Sequence, residues 1–299
     1  MFPPPPPLRI AILEADVPIG HTRAKYGSYG GVFASLLHRA ADAEGIARER
    51  LEIEGWDVVG GGEEGERGGE GGGGGEGEGE GERGEEGEDM EDMGGEWGWS
   101  RRKGFPRLGD VDAVLVTGSR MWAGFNAYDN DAWIVRLVEF VKTVLAQDRV
   151  KIIGVCYGHQ IVGRALGAKV ARSESGSWEV SVCEVLQTGR GRELFGGKDV
   201  LSIYQMHRDI VYQYPPGVEA LGSTGSCQVQ GMYIPRRAMT VQGHPEFTAE
   251  IVVELLERRR EQGVFGEEMY GEAMARVGRP HDGVLVARAF LRFLLEDGS

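Results

Sequence analysis

The stretch VKIIGVCYGHQIVGRAL, residues 150–166, decides the reading of this chain. Val150 to Val155 is an apolar, partly β-branched run of strand length, and Tyr157 to Leu166 carries apolar residues at helical spacing. Between them Gly154-Val155-Cys156-Tyr157-Gly158 has the pattern G-x-nucleophile-x-G of a strand-to-helix elbow. Such a turn strains the backbone at its central residue, and the flanking glycines let strand and helix approach closely. The helix N-terminus behind it offers amide donors and the positive end of a dipole. Cys156 is therefore a candidate nucleophile, with the role of a small buried apolar residue as the alternative.

Outward from this stretch the same alternation continues. Leu8–Leu13, Leu51–Val59 and Val111–Thr117 read as strands, and Val32–Ala43 and Asp131–Ala146 read as helices. Tyr26–Gly31 reads as a turn. Beyond Val170 the rhythm changes to strands joined by short links at Val180–Leu186, Val200–Met206, Val218–Gly222, Cys227–Ile234 and Ala238–Val241, before helices return at Thr248–Gln262 and Gly283–Leu295. This order predicts a three-layer α/β domain, its mostly parallel central sheet flanked by helices, with a smaller antiparallel portion.

Composition is dominated by one segment. The 299 residues hold 33 Lys+Arg and 47 Asp+Glu, for a net charge of −14. Residues 60–96 contribute 18 of the 49 glycines and −13 of that charge, so the rest of the chain is nearly neutral. A segment so polar and glycine-rich is predicted to be a disordered insert, and closing a long loop adds only a logarithmic entropy cost. The organisation expected is a proline-rich N-terminus at 1–7 and one domain at 8–299, interrupted by 60–96. Nucleic-acid binding is not expected, because the dense basic runs are only Arg101–Lys103 and Arg258–Arg260, both read as solvated surface. Cys156, Cys183 and Cys227 show neither a disulfide framework nor metal-ligand spacing, which suits a reducing, cytoplasmic location with no metal. No membrane span is read: the most apolar C-terminal run, Val284–Leu295, is broken by Arg288 and Arg292.

A thiol nucleophile needs a base, and the base needs a partner that fixes its tautomer. His244-Pro245-Glu246, just past a strand, supplies both on a restricted segment. His207, in His207-Arg208-Asp209, is its main rival. His159, within the elbow helix, is expected to point away from Cys156.

The segments GVCYGHQIVGRALGAKV (154–170) and QGHPEF (242–247) together resemble the class I glutamine amidotransferase domain, and among its members the free-standing fungal and plant type that includes the γ-glutamyl peptidases. The resemblance implies a flavodoxin-like fold, with Cys156 as nucleophile, His244 as base and Glu246 as its orienting partner. It implies an oxyanion hole from the backbone N–H of Tyr157 and that of Gly118 or Ser119, and it places Gln160 at the α-amino acid end of the substrate. His207 and Asp209 are left as pocket walls or as a structural pair. Thr117-Gly118-Ser119-Arg120 departs from the glycine run of many relatives, which weakens the donor assignment. The implied chemistry is cleavage of a γ-glutamyl amide, in glutamine or a γ-glutamyl peptide, through a γ-glutamyl thioester, with no cofactor. Two other roles are compatible with the resemblance: an amidotransferase subunit passing ammonia to a separate synthetase, and a catalytically silent binding or scaffold protein.

Overall fold

The structure, a computed structural model, describes residues 6–60, 90–95, 98–119 and 125–296. Its first half alternates strands and helices: β1 (Leu8–Glu14), α1 (Gly20–Tyr26), α2 (Tyr29–Glu44), β2 (Leu51–Asp57), β3 (Met90–Gly94), β4 (Trp99–Lys103), β5 (Ala113–Val116), α3 (Ala132–Leu145), β6 (Lys151–Val155) and α4 (Tyr157–Ala165). The second half is richer in strands: β7 (Val170–Arg172), β8 (Glu179–Gln187), α5 (Gly189–Leu194), β9 (Val200–His207), β10 (Asp209–Val211), β11 (Glu219–Ser223), β12 (Gly231–Ile234) and β13 (Ala238–Val241). Three helices close the chain: α6 (Ala249–Glu261), α7 (Glu267–Val277) and α8 (Gly283–Leu295).

One sheet runs through the described residues in the order β3-β4-β2-β1-β5-β6-β13-β12-β11-β8-β9. From β4 to β13 neighbouring strands are parallel, and from β13 to β9 they are antiparallel. A separate antiparallel pair joins β7 to β10. The expected α/β architecture and its antiparallel portion are therefore both present. Strands of the parallel half are covered on both faces, which is why they read as continuous apolar runs. On one face Phe33, Leu36 and Leu37 of α2 and Phe290, Leu291 and Leu294 of α8 pack on Ile10, Ile12 and Leu115. On the other, Ile134, Leu137 and Val141 of α3 and Ile161 and Val162 of α4 meet Ala11, Leu13, Val114 and Val116. Alternate residues of β1 and β5 thus serve opposite layers. A third cluster seats α6 and α7 against Val180, Val182 and Tyr204 of the antiparallel wing.

Several sequence expectations are corrected. Met90–Gly94 lies inside the segment predicted to be disordered, yet it pairs antiparallel with β4. The predicted insert is therefore bounded on its C-terminal side by a strand, and its residues 61–89 lie outside the described residues. The basic run at 101–103 is part of β4, and Arg101 is buried against Asp57 at 3.2 Å instead of standing in solvent. The predicted turn at Tyr26–Gly31 is instead the junction of two helices, with Ser28 capping α2 by accepting from the Gly30 N–H. Helix α7 was not anticipated. No helix among the described residues is long and apolar enough to cross a membrane.

Glu14 couples the edge of this sheet to its centre. It ends β1 fully buried, and its Oε1 accepts from the Trp99 indole at 3.1 Å, tying β4 to β1. Burial raises its carboxyl above the usual range, although Ser28, Trp99 and Arg101 oppose the shift. A carboxyl whose folded value is raised contributes stability that is present below its unfolded value and lost as pH rises through the folded one. Glu14→Gln keeps an acceptor for Trp99 and removes the titration. The thermal midpoint of the variant, taken relative to the natural protein, is expected to rise from pH 5 to pH 8; a constant difference across that range would contradict the burial effect.

Candidate active site

The elbow is built by contact distances that exclude side chains. A Cβ on Gly158 would stand 2.2 Å from the carbonyl oxygen of Val116 at the end of β5, and one on Gly154 would stand 2.8 Å from the Gly158 carbonyl oxygen. Hydrogen bonds lock the turn on either side: Gly158 N–H donates to Thr117 O at 3.1 Å, and Cys156 N–H donates to Val241 O at 2.9 Å. Cys156, at φ 50° and ψ −100°, is forced into a conformation that non-glycine residues rarely adopt. It caps the N-terminus of α4, 4% exposed, where the first-turn amides have no intrahelical partners.

The second side chain comes from the segment after β13. Gln242 N–H donates to Gln230 O at 2.9 Å and His244 N–H donates to Tyr204 O at 2.7 Å, so the backbone holds His244 between the parallel and antiparallel halves. Its Nδ1 meets Glu246 Oε1 at 2.7 Å, and its ring lies flat on Phe247 with centroids 4.0 Å apart. Its side chain stands beside Cys156, both facing Gly118. Because Nδ1 is engaged by Glu246, Nε2 is the nitrogen available to the thiol. Burial acts to lower the His244 pKa, but its interactions with Cys156 and Glu246 prevail and raise it well above the usual histidine value, favouring the imidazolium.

Gly118 closes the arrangement. A Cβ there would lie 2.8 Å from His244 Cε1 and 3.7 Å from Cys156 Cβ, so the loop after β5 crosses both groups where only a hydrogen fits. Thr117 Oγ1 accepts from Ala15 N–H at 3.2 Å and donates to Gly118 O at 2.9 Å. That bond orients the Gly118–Ser119 peptide, and in a trans peptide the Ser119 N–H points away from the carbonyl so held. Arg120 lies outside the described residues. The Tyr157 side chain belongs to the core, stacked on Trp133 with centroids 6.0 Å apart, which leaves its backbone amide as the part at the site.

Gln160 is brought close to Cys156 by one turn of α4, its N–H donating to Cys156 O at 3.1 Å. Its side-chain Nε2 donates inward, to Asp209 O at 2.9 Å and Gln242 Oε1 at 3.2 Å. Both rival histidines are otherwise occupied. His207 contacts Glu179 Oε2 through Nε2 at 2.9 Å and Asp209 O through Nδ1 at 3.2 Å. His159 Nδ1 contacts Thr240 Oγ1 at 2.8 Å, and complete burial pushes its pKa down to about 3, so it is neutral. Burial pushes the Cys183 thiol up to about 11 and the Cys227 thiol up to about 12, which makes neither a competing nucleophile at neutral pH. Glu179, Gln205 and Gln230 were not foreseen. Gln205 Nε2 donates to Gln230 Oε1 at 2.9 Å and Gln230 Nε2 to Glu179 Oε2 at 2.6 Å, a buried chain beneath His244 with no local sequence pattern to announce it. Among the described residues no group of three or more His, Cys, Asp or Glu is placed to hold a metal ion.

Residues 112–257 match the family described as glutamine amidotransferase class-I. A glutamine amidotransferase-like protein of Schizosaccharomyces pombe is 34% identical over 288 residues, covering 96% of this chain and 98% of the relative. Gamma-glutamyl peptidase 2 of Arabidopsis thaliana is 29% identical over 177 residues, covering 56% of this chain and 68% of the relative. Among solved structures, a glutamine amidotransferase from Thermotoga maritima shares the fold, with a TM-score of 0.65 at 14% identity over 97% of this chain and 99% of that one. This chain belongs to the class I glutamine amidotransferase family.

Gly158 offers a direct check on the elbow. Gly158→Ala places a methyl against the Val116 carbonyl and is expected to cost about 2–3 kcal/mol, lowering the thermal midpoint by about 5–10 °C. Gly271→Ala, within α7 where a Cβ meets nothing within 4 Å, is expected to be neutral or to stabilise. Equal midpoints for the two variants would contradict the close packing of the elbow.

Proposed function

We propose that this protein is a thiol-dependent hydrolase of γ-glutamyl amides, with Cys156 as nucleophile, His244 as acid–base and Glu246 as the group that orients His244. One observation carries the reading: a histidine hydrogen-bonded to a buried carboxylate and set beside a cysteine held at positive φ on a helix N-terminus. The γ-glutamyl specificity rests on family membership and on the similarity to plant γ-glutamyl peptidases.

In the proposed cycle His244 already holds the proton of the Cys156 thiol as the imidazolium, and the sulfur attacks the γ-carbonyl carbon. The oxyanion is held by the backbone N–H of Tyr157, at the start of α4, and by that of Gly118 or Ser119, of which the Thr117 bond to Gly118 O favours Ser119. As the C–N bond breaks, His244 gives its proton to the departing amine. Water, deprotonated by His244, then resolves the thioester to release glutamate. Glu246, through its bond to Nδ1, keeps Nε2 directed at the reacting atoms. Gln160, its Nε2 fixed by Asp209 and Gln242, is assigned to the α-ammonium of the substrate through Oε1.

The test is hydrolysis of glutamine and of γ-glutamyl dipeptides by purified protein, followed by glutamate release. Cys156→Ser is expected to lower turnover at least about a thousandfold with the thermal midpoint nearly unchanged, and His244→Asn at least about a hundredfold. Near-normal turnover in Cys156→Ser would place the nucleophile elsewhere. Absence of glutamate release from every γ-glutamyl substrate would remove the hydrolase reading.

A further inference from the structure

The arginines near the end of α6, Arg258, Arg259 and Arg260, are not equivalent. Arg258 reaches Glu261 at 3.5 Å and Arg260 reaches Glu267 at 2.8 Å, both ion pairs at the surface. Arg259 is half-buried and lines the space beside His244, which Gly118 and Ser119 also line. Helical periodicity puts it there. Leu255, one turn earlier on the same face, lines the same space and packs with Ile251 and Val252 in the cluster that seats α6. Because α6 starts at Ala249, soon after His244, one well-packed helix fixes Arg259 relative to the imidazole.

The guanidinium of Arg259 is seated on Trp178, its Cζ 5.3 Å from the ring centroid, and Arg208 stands over the same ring at 4.9 Å. Trp178 is steadied in turn by Phe265, edge to face with centroids 5.2 Å apart. An aromatic ring orients a guanidinium without cancelling its charge. Two cations gathered on one indole make this side of the space attractive to an anion.

The other charged groups of the space, His244 and Glu246, are bonded to each other. Among the described residues that line it, Arg259 is the single Arg or Lys. A planar guanidinium presents paired N–H donors that match a carboxylate. Every γ-glutamyl amide carries a carboxylate at its α-carbon, and a γ-glutamyl amino acid carries a second one on the leaving amine. Gln160 is assigned to the α-ammonium alone, which leaves a carboxylate to be held by another residue. We propose that Arg259 is a specificity-determining residue that anchors a substrate carboxylate and so holds the reacting amide beside His244. The inference rests on the γ-glutamyl hydrolase reading.

The experiment gives the full-length protein and its Arg259→Gln variant three substrates: γ-glutamyl-glycine, its C-terminal amide and its α-carboxamide. The two amides lack the leaving-group carboxylate and the α-carboxylate in turn. In the natural protein at least one of them is expected to lose about tenfold or more in kcat/KM relative to γ-glutamyl-glycine, and in Arg259→Gln that penalty falls to about twofold or less. The amide whose penalty disappears identifies the carboxylate that is held. Each penalty is a ratio within one protein, so a misfolded fraction of the variant cancels. Calorimetry on Cys156→Ser, with and without Arg259→Gln, is expected to show the same pattern in Kd. Penalties absent from the natural protein overturn the anchor. So do penalties unchanged in Arg259→Gln, since a uniform loss on all three substrates means that the arginine acts on the His244–Glu246 pair. Carboxylate-dependent binding that Arg259→Gln abolishes, with no turnover of any substrate, supports the anchor and overturns the hydrolase reading instead. Failure of all three to bind or to turn over overturns both.

Discussion

The close approach of Gly158 to the Val116 carbonyl sets the geometry on which the candidate active site depends. Because no side chain fits there, the start of α4 rests directly on the end of β5, and the strand-to-helix turn has no room to relax. Cys156 is left at positive φ as a consequence, at the point where β5, β6 and β13 end together. The same proximity brings the loop after β5 over the thiol, so one steric constraint supplies the orientation of Cys156 and the nearby backbone amides at once.

Against this rigid centre His244 is placed from the other direction. Its backbone is fixed to Tyr204 in the antiparallel wing, and its side chain reaches to Cys156 in the parallel half. The site therefore lies on the seam between the two halves of a single sheet. The chain Glu179–Gln230–Gln205 ties β8, β9 and the start of β12 together within the antiparallel wing, and Gln160 of α4 bridges to Gln242 after β13. Buried polar contacts specify one arrangement of a core more narrowly than apolar contact does, because a small shift leaves donors unpaired.

Much of the candidate site was legible in the sequence because its determinants are local. The glycines two residues to either side of Cys156, and a carboxylate two residues after His244, state their purpose through spacing alone. Parallel strands such as β1 and β6 were readable as apolar runs because both of their faces are covered. Where the determinant is a pairing between distant segments, reading failed. Arg101 looks like surface until β4 is laid beside β2 and Asp57 meets it; His207 looks like a possible base until Glu179 and the Asp209 carbonyl engage its ring. Helix α7 is a different case: Met269, Tyr270, Ala273, Met274 and Val277 recur at helical spacing, so that signal was present and simply weak beside its many charged neighbours.

The edge strand β3 has one more implication. Gly60, just past β2, and Met90, which opens β3 level with Arg102, both lie at the carboxyl edge of the sheet, the edge that also carries Cys156. Neighbouring strands stand about 4.8 Å apart, so β2 lies three strand spacings and β3 five from β6, farther than the about 8–10 Å over which charge is screened at physiological salt. Residues 61–89 carry a net charge of −10, and that charge leaves and rejoins the described fold at strands that hold none of the residues assigned to the site.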